Sequence, residues 1–164
     1  MKKIIGPLFM LLSVSLMNPS FANNIDPKQT ARESVDAIWQ EVSRTVKEGD
    51  FVGYKATYHD DAVLVTTKTS APIAQALAKW KQGFDDTKAG KMKASVEFRF
   101  GKRVSDATTA HDTGIFLYSA TDVSGKVNAS YIHFEALLVK KVTWKMLMEY
   151  QKNEATKAEW DALK

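Results

Sequence analysis

The sequence predicts an α+β fold, in which three N-terminal helices pack on a strongly curved, mainly antiparallel sheet to form an α+β cone or barrel. Apolar residues recur at helical spacing up to about residue 90, and from Lys91 onward apolar and polar residues alternate. The first period is typical of an amphipathic helix and the second of a half-buried strand. A third observation is the block 49–65, in which a short helical pattern is followed by an acidic pair and a β-rich run. Helices that precede the strands in this way are expected to cover one face of a single sheet.

The first two helices are predicted to meet at Gly49. Asp26 and Pro27 can begin the first helix as an N-cap and a first helical residue. Gly49 can end this helix, and Asp50 can cap the second. One apolar stripe follows the first helix: Val35, Ile38, Trp39, Val42 and Val46. We expect that stripe to face the sheet.

The second helix is expected to lead into a first strand over residues 62–67, with Asp60 and Asp61 at the corner. Ser70 offers an N-cap for a third helix, with Pro72 in its first turn, and the helical spacing ends near residues 89–90. The apolar positions of this third helix are Ile73, Leu77, Trp80 and Phe84. They predict a second amphipathic helix on the same face of the sheet.

Four further strands are predicted over residues 92–100, 108–121, 127–140 and 143–151. Short turns at residues 122–126 and 141–142 join the last three of them as antiparallel neighbours. We therefore expect one domain over residues 23–152. The charged segment 153–164 has only a faint helical stripe and is expected to be either a short docked helix or a tail.

The first 22 residues have the pattern of a signal peptide. Lys2 and Lys3 precede an apolar run over residues 4–17, which is followed by a small-residue site that ends at Ala22. We expect residues 1–22 to be cleaved after Ala22, which predicts a periplasmic or secreted protein. The chain has no cysteine, so neither a disulfide nor a thiolate metal site can form.

The charge pattern argues against two classes of partner. The chain has 23 basic and 19 acidic residues, a formal net charge of +4, and two of its lysines lie in the predicted leader. The basic residues are scattered, whereas proteins that bind nucleic acids or membrane surfaces cluster them. We expect no nucleic acid as partner and, after removal of the leader, no membrane.

This order of elements resembles the nuclear transport factor 2-like superfamily, and within it the SnoaL-like proteins of undefined function, over about residues 28–152. The resemblance rests on three features: the 49–65 block, the Ala-x-acid-x-Gly pattern at residues 110–114, and the Trp-Lys-Met run at residues 144–146. It implies a cone-shaped domain that is a homodimer through the outer face of its sheet. The superfamily includes isomerases, dehydratases, hydrolases, cyclases and non-enzymatic binding domains, so the fold does not give the function.

The ketosteroid isomerases of this superfamily share the interval between Asp50 and Asp61. The resemblance implies that their catalytic base falls at Thr66 and their oxyanion-stabilising tyrosine at Val42. A threonine is no base near neutral pH and a valine has no hydrogen-bond donor. The carry-over therefore argues against an isomerase of that kind and is silent about other chemistries. Because the sequence also has no metal or nucleophile constellation, we favour a non-enzymatic function.

Three residues are the candidates for acid/base catalysis: Asp112, His133 and Glu135. His133 and Glu135 share the polar face of their strand, which predicts a surface or interface pair on the outer side of the sheet. A bulge that reversed the register would instead make them a general acid/base pair. Asp112 lies on a strand with bulky residues on both faces; pointing inward, it is either an acid or base or a structural partner of Tyr58 or Tyr150.

Five aromatic residues are candidate ligand contacts, either as core residues or as the lining of a pocket: Tyr54, Tyr58, Trp80, Phe84 and Tyr150. The run 59–61, His-Asp-Asp, is interpreted as structural because consecutive residues seldom converge on one ion. We expect no metal and no cofactor.

Two hypotheses about function follow. The first is an exported domain that binds a small apolar or amphipathic molecule, or acts as a dimeric interaction module. The second is a general acid/base enzyme, of isomerase, cyclase or dehydratase type, that acts on a small carbonyl or polyketide-like compound. The second requires Asp112, His133 and Glu135 to converge inside a cavity.

Overall fold

Four helices and six strands follow one another in the computed structural model, which describes residues 27–163, with side chains from Arg32 onward. In chain order they are α1 (Pro27–Glu48), α2 (Phe51–Ala56), β1 (Tyr58–Thr66), β2 (Ser70–Pro72), α3 (Ile73–Lys88), β3 (Met92–Ser105), β4 (Thr109–Asp122), β5 (Val127–Lys140), β6 (Trp144–Glu154) and α4 (Lys157–Ala162). The predicted leader lies outside the described residues. No helix in residues 27–163 is long and apolar enough to cross a membrane.

The six strands form one sheet in the order β2-β1-β6-β5-β4-β3. Neighbouring strands are antiparallel except for β1 and β6, which run parallel. The buried residues of α1 and α3 pack against one side of this sheet, which we call the inner face. The predicted α+β cone with a curved, mainly antiparallel sheet is confirmed.

The junction of α1 and α2 depends on Gly49. Its φ of 66° is left-handed, and a Cβ at this position would lie 2.5 Å from the backbone nitrogen of Lys88. Only glycine fits so close to α3 in this conformation. Asp50 Oδ1 then accepts a hydrogen bond of 2.9 Å from Gly53 N, which is the predicted cap of α2.

The first strand begins earlier than the sequence predicts. β1 starts at Tyr58, next to Met146 of β6, so Asp60 and Asp61 are exposed strand residues and not a corner. The prediction was wrong because Met146 N donates a hydrogen bond to Thr57 O, 2.8 Å away, and this pairing draws the chain into the sheet as soon as α2 ends. The pairing involves residues about 90 apart, so local pattern does not reveal it.

Ser70 is not the cap of the third helix. It pairs with Val65 in the short hairpin of β1 and β2, and Pro72 precedes α3 with φ −52° and ψ 137°. Thr66 Oγ1 accepts hydrogen bonds from the backbone nitrogens of Lys68 and Thr69, which turns the chain back on itself. The helix therefore begins at Ile73, after a strand that the sequence did not predict.

The segment after β6 is the short helix α4, docked on the outer face of the sheet. Thr156 and Glu159 form a capping box, and the side chain of Trp160 is only 4% exposed. The Arg99 guanidinium lies 4.4 Å from the centre of the Trp160 ring, and Tyr131 packs beside that ring. Of the two forms expected for residues 153–164, the docked helix is the one observed.

Candidate functional site

A cavity of about 450 Å³ lies between the helices and the inner face of the sheet. Its wall is mainly apolar. The aromatic residues of the wall are Trp39, Tyr54, Tyr58, Trp80, Phe84, Phe98, Phe116, Tyr118 and Phe134, and the aliphatic ones are Val42, Val46, Ala94, Val96, Ile132 and Met146. They come from all three N-terminal helices and from five strands.

The apolar wall of the cavity follows from the helical spacing of apolar residues in α1 and from their alternation along β3. Trp39, Val42 and Val46 share one face of α1, because residues three or four apart lie above one another on a helix. Ala94, Val96 and Phe98 alternate along β3, as residues on one face of a strand do. Val42, where the resemblance to the isomerases implies a tyrosine, is therefore an apolar part of the wall.

A cluster of four polar side chains interrupts the apolar wall. Tyr58 donates a hydrogen bond of 2.5 Å to Glu149 Oε2, and Gln151 Nε2 donates one of 2.6 Å to Glu149 Oε1. The hydroxyl groups of Tyr54 and Tyr58 lie 3.1 Å apart. Glu149 is 8% exposed, so its carboxyl group borders the cavity with very little contact with bulk solvent.

Burial changes the protonation of this cluster. Burial raises the pKa of Glu149, against the opposing effect of the hydrogen bonds from Tyr58 and Gln151. Burial and the nearby Glu149 also raise the pKa values of Tyr54 and Tyr58. Both tyrosines therefore stay neutral at physiological pH, and Glu149 holds its proton to a higher pH than an exposed glutamate does.

Glu149 was not among the residues singled out from the sequence. Strict alternation from Met146, which lines the cavity, places Met148 on the inner face and Glu149 on the outer one. The pairing shifts at this point: Met146 lies beside Leu138, whereas Met148 lies beside Leu137 and Glu149 beside Ala136. This bulge reverses the phase of β6 and turns Glu149 inward. No local signal in the sequence marks it.

Four of the five predicted ligand residues, Tyr54, Tyr58, Trp80 and Phe84, line the cavity. Tyr150 does not. It follows the bulge on the opposite side of β6 from Glu149, beside Glu135, and the Lys152 ammonium lies 5.6 Å from the centre of its ring. The bulge that turns Glu149 inward therefore turns Tyr150 outward.

Asp112 points inward, is 1% exposed, and belongs to a buried ion pair beside the cavity. Its Oδ1 lies 3.0 Å from Arg103 Nε, and its Oδ2 accepts a hydrogen bond of 2.8 Å from Trp39 Nε1. Arg103 also contacts Asp36 of α1. The prediction that Asp112 contacts Tyr58 or Tyr150 was wrong, because the bulge between Phe100 and Lys102 brings Arg103 opposite Asp112. Asp112 thus joins α1 to the sheet.

His133 and Glu135 lie on the outer face, as the polar face of their strand predicts. They do not pair with each other: His133 Nε2 lies 3.3 Å from Glu159 of α4, and Glu135 contacts Lys152 and, at 3.2 Å, His111. The hydrogen bond from Lys152 lowers the pKa of Glu135. Asp112 is on the inner face, so the three predicted catalytic residues do not converge. In residues 27–163 no group of three His, Asp or Glu side chains could hold a metal ion.

Comparison with known proteins identifies the fold. No protein-family model matches the sequence, and no curated protein matches it. Among solved structures, a nuclear transport factor 2-like protein of unknown function from Shewanella oneidensis is similar, with a TM-score of 0.58 and 13% identity over 74% of this chain and 98% of that one. A ketosteroid isomerase-like protein from Erwinia carotovora has a TM-score of 0.55 and 17% identity over 76% and 95% of the two chains.

A third similar structure is part of an enzyme. The beta subunit of benzoate 1,2-dioxygenase from Burkholderia mallei has a TM-score of 0.58 and 14% identity, over 72% of this chain and 87% of that one. Proteins of this shape thus include proteins of unknown function and components of enzymes, and identities this low concern the fold alone. The chain has the fold of the nuclear transport factor 2-like superfamily.

Proposed function

We propose that this chain is an exported domain whose cavity binds one small apolar or amphipathic molecule. The observation that carries the proposal is the cavity, an aromatic and aliphatic wall with one polar cluster at Tyr54, Tyr58, Glu149 and Gln151. Small-molecule sites measure about 300–1,000 Å³ and combine an apolar lining with a few polar groups that orient the ligand. The volume of about 450 Å³ and the composition of this wall fit that description. Export rests on the sequence of residues 1–22 alone.

Native mass spectrometry tests this proposal on protein that is purified under mild conditions from the envelope of the cells that produce it. We expect the intact mass to exceed the sequence mass of residues 23–164 by that of one small molecule, which organic solvent removes. Protein that begins at Asn23 and carries no adduct contradicts tight binding. Protein that still carries residues 1–22 contradicts export by cleavage after Ala22.

The Glu149 cluster also supports a second candidate function, general acid/base catalysis. A carboxyl group with a raised pKa beside a neutral tyrosine has the properties of a proton-transfer pair, which Asp112, His133 and Glu135 do not provide in this arrangement. A direct test is the exchange of solvent deuterium into the carbon next to the carbonyl of a methyl alkyl ketone, followed by NMR. Catalysed exchange that Glu149→Gln abolishes supports this function, and exchange at the uncatalysed rate contradicts it.

A further inference from the structure

Glu149 is a buried acid that has no cation as a partner in residues 27–163. Its two carboxyl oxygens accept hydrogen bonds from Tyr58 and Gln151, and both of these side chains are neutral. An ionised carboxylate in an apolar setting is costly unless a positive charge compensates it. A positive charge placed at this end of the cavity would therefore stabilise the ionised form of Glu149.

The two other shielded acids of the sheet do have cations. Asp112 is paired with Arg103, and Glu135 is paired with Lys152. Lys79 also lines the cavity, but its side chain is exposed, and no cation is among the groups that shift the pKa of Glu149. Glu149 thus differs from Asp112 and Glu135 in having no cation as a partner within residues 27–163.

The aromatic wall is suited to a cation as well. The faces of aromatic rings attract ammonium and guanidinium groups. The protein makes such contacts elsewhere: Arg103 lies 4.1 Å from the centre of the Phe100 ring, and Arg99 lies over Trp160. None of the cation–π contacts found in residues 27–163 involves a ring of the cavity wall. The rings of the wall pack against one another, as Trp39 does against Phe98, and they also border the cavity.

Resting on the proposed ligand-binding function, we propose that the ligand is a protonated amine with an apolar body. Its ammonium group donates to the free lone pairs of Glu149, and its body packs against the rings of Trp39, Trp80 and Phe98. A carboxylate accepts about four hydrogen bonds, of which the protein supplies two. The ligand then supplies the counter-ion that Glu149 lacks within residues 27–163.

The proposal predicts a pH dependence with a definite sign. Because burial raises the pKa of Glu149, the carboxyl group loses its proton when the amine binds at a pH below that raised value. Affinity therefore rises with pH through this range and falls again at about pH 10, where an alkylamine loses its own proton. The other titratable groups of the wall are Tyr54 of α2, Tyr58 of β1, Lys79 of α3 and Tyr118 of β4. Burial raises the pKa of each of these three tyrosines, so they stay neutral across the rise.

The test is isothermal titration of the purified mature chain with three probes of equal length: octylamine, octanol and octanoic acid. We expect octylamine to bind about tenfold more tightly than octanol, the effect of one charge-assisted hydrogen bond. We expect octanoic acid to bind more weakly than octanol. We expect Glu149→Gln, which has nearly the same shape, to remove the advantage of octylamine over octanol, and its circular dichroism spectrum shows whether the variant is folded.

The outcomes distinguish a failure of the amine inference from a failure of the proposed ligand-binding function. If octanol binds and octylamine binds no better, or if octanoic acid binds most tightly through Lys79, the amine inference is wrong while the ligand-binding function stands. If none of the three probes binds, both are wrong. Should Glu149→Gln fail to fold, the pH dependence of the wild-type chain decides: affinity for octylamine that does not rise with pH, relative to octanol, contradicts the inference.

Discussion

At the scale of single residues, Asp112 shows how a buried acid can be structural. Arg103 neutralises its charge and Trp39 satisfies its second oxygen, so the carboxylate is compensated inside the core. Removal of the Asp112 charge leaves Arg103, which is largely buried, with only the more exposed Asp36 as its counter-charge. The role of Asp112 is therefore expected to appear in stability and not in chemistry.

We predict that Asp112→Asn lowers the free energy of unfolding by about 3 kcal/mol, because Arg103 loses its buried counter-charge. Urea denaturation followed by circular dichroism measures this change. The matched control is Asp60→Asn on the exposed side of β1, which is expected to stay within about 0.5 kcal/mol of wild type. Equal effects of the two substitutions would contradict the assignment of Asp112 to a structural ion pair.

The buried Glu149 gives a prediction about how the free energy of unfolding depends on pH. Its pKa is raised in the folded state, so between the unfolded and folded pKa values the folded protein holds a proton that the unfolded chain has lost. The contribution of Glu149 to stability is therefore complete below the unfolded pKa and declines as pH rises through the folded one. We predict that Glu149→Gln gains stability relative to wild type as pH rises through this range.

Urea titrations of both proteins at a series of pH values measure that difference. Glu97→Gln, an exposed glutamate of β3, serves as the control, and its difference from wild type is expected to stay nearly constant. A constant difference between Glu149→Gln and wild type across the same pH range would show that Glu149 is not perturbed by burial.

At the scale of elements, the sequence predicted those features that depend on local period. The stripes of α1 and α3 and the alternation of β3 and β5 reproduce the observed faces, and β5 has the predicted bounds. Two features set by pairing between distant segments were missed, the early start of β1 and the bulge of β6, and so was the local hairpin of β1 and β2. Side chains alternate between the two faces of a strand only until a β-bulge inserts an extra residue.

The residues of the candidate site also divide into those that local spacing predicts and those whose placement depends on strand pairing. Tyr54, Tyr58, Trp80 and Phe84 were predicted from their helical spacing as core residues or as the lining of a pocket, and they line the cavity. Glu149 was missed because it lies just after the bulge, where sequence alternation assigns the wrong face. A site whose polar group depends on a bulge cannot be assigned from one sequence.

The element α4 has one buried side chain, Trp160, which packs against Arg99 and Tyr131. We predict that Trp160→Ala releases this helix, because six residues are too few to form a stable helix without tertiary contacts. Hydrogen exchange measured by mass spectrometry should show at least about tenfold faster exchange of the α4 amides, with the amides of α1 unchanged. Val142→Ala, at a side chain that is 89% exposed, is the control. Unchanged exchange in α4 would contradict this account of its docking.

At the scale of the whole molecule, the outer face of the sheet is divided into two parts. α4 covers the part around Ile115 and His133. The remaining part carries half-buried apolar side chains on β1, β5 and β6: Val63, Val65, Leu137, Met148 and Tyr150. The homodimer implied by the family resemblance stays a prediction, and this second part is the surface on which we expect it to form.

We predict that Met148→Glu weakens the dimer at least about tenfold, because each copy would bring an unpaired charge into an apolar interface. Sedimentation velocity over a range of protein concentrations measures the change. Val123→Glu, in the exposed turn between β4 and β5, is the control for added charge. A wild-type chain that sediments as a monomer at all concentrations would contradict the dimer itself.

The central claim is that the cavity binds a small apolar or amphipathic molecule, and titration calorimetry with octanol on a cavity-filling variant tests it most directly. Ala94 lines the cavity, and its neighbour Ser95 lies on the opposite face of β3. We predict that wild type and Ser95→Phe bind octanol with equal affinity, and that Ala94→Phe, which fills the cavity, binds at least about tenfold more weakly. Equal binding by all three proteins, or no binding by any, would contradict the claim.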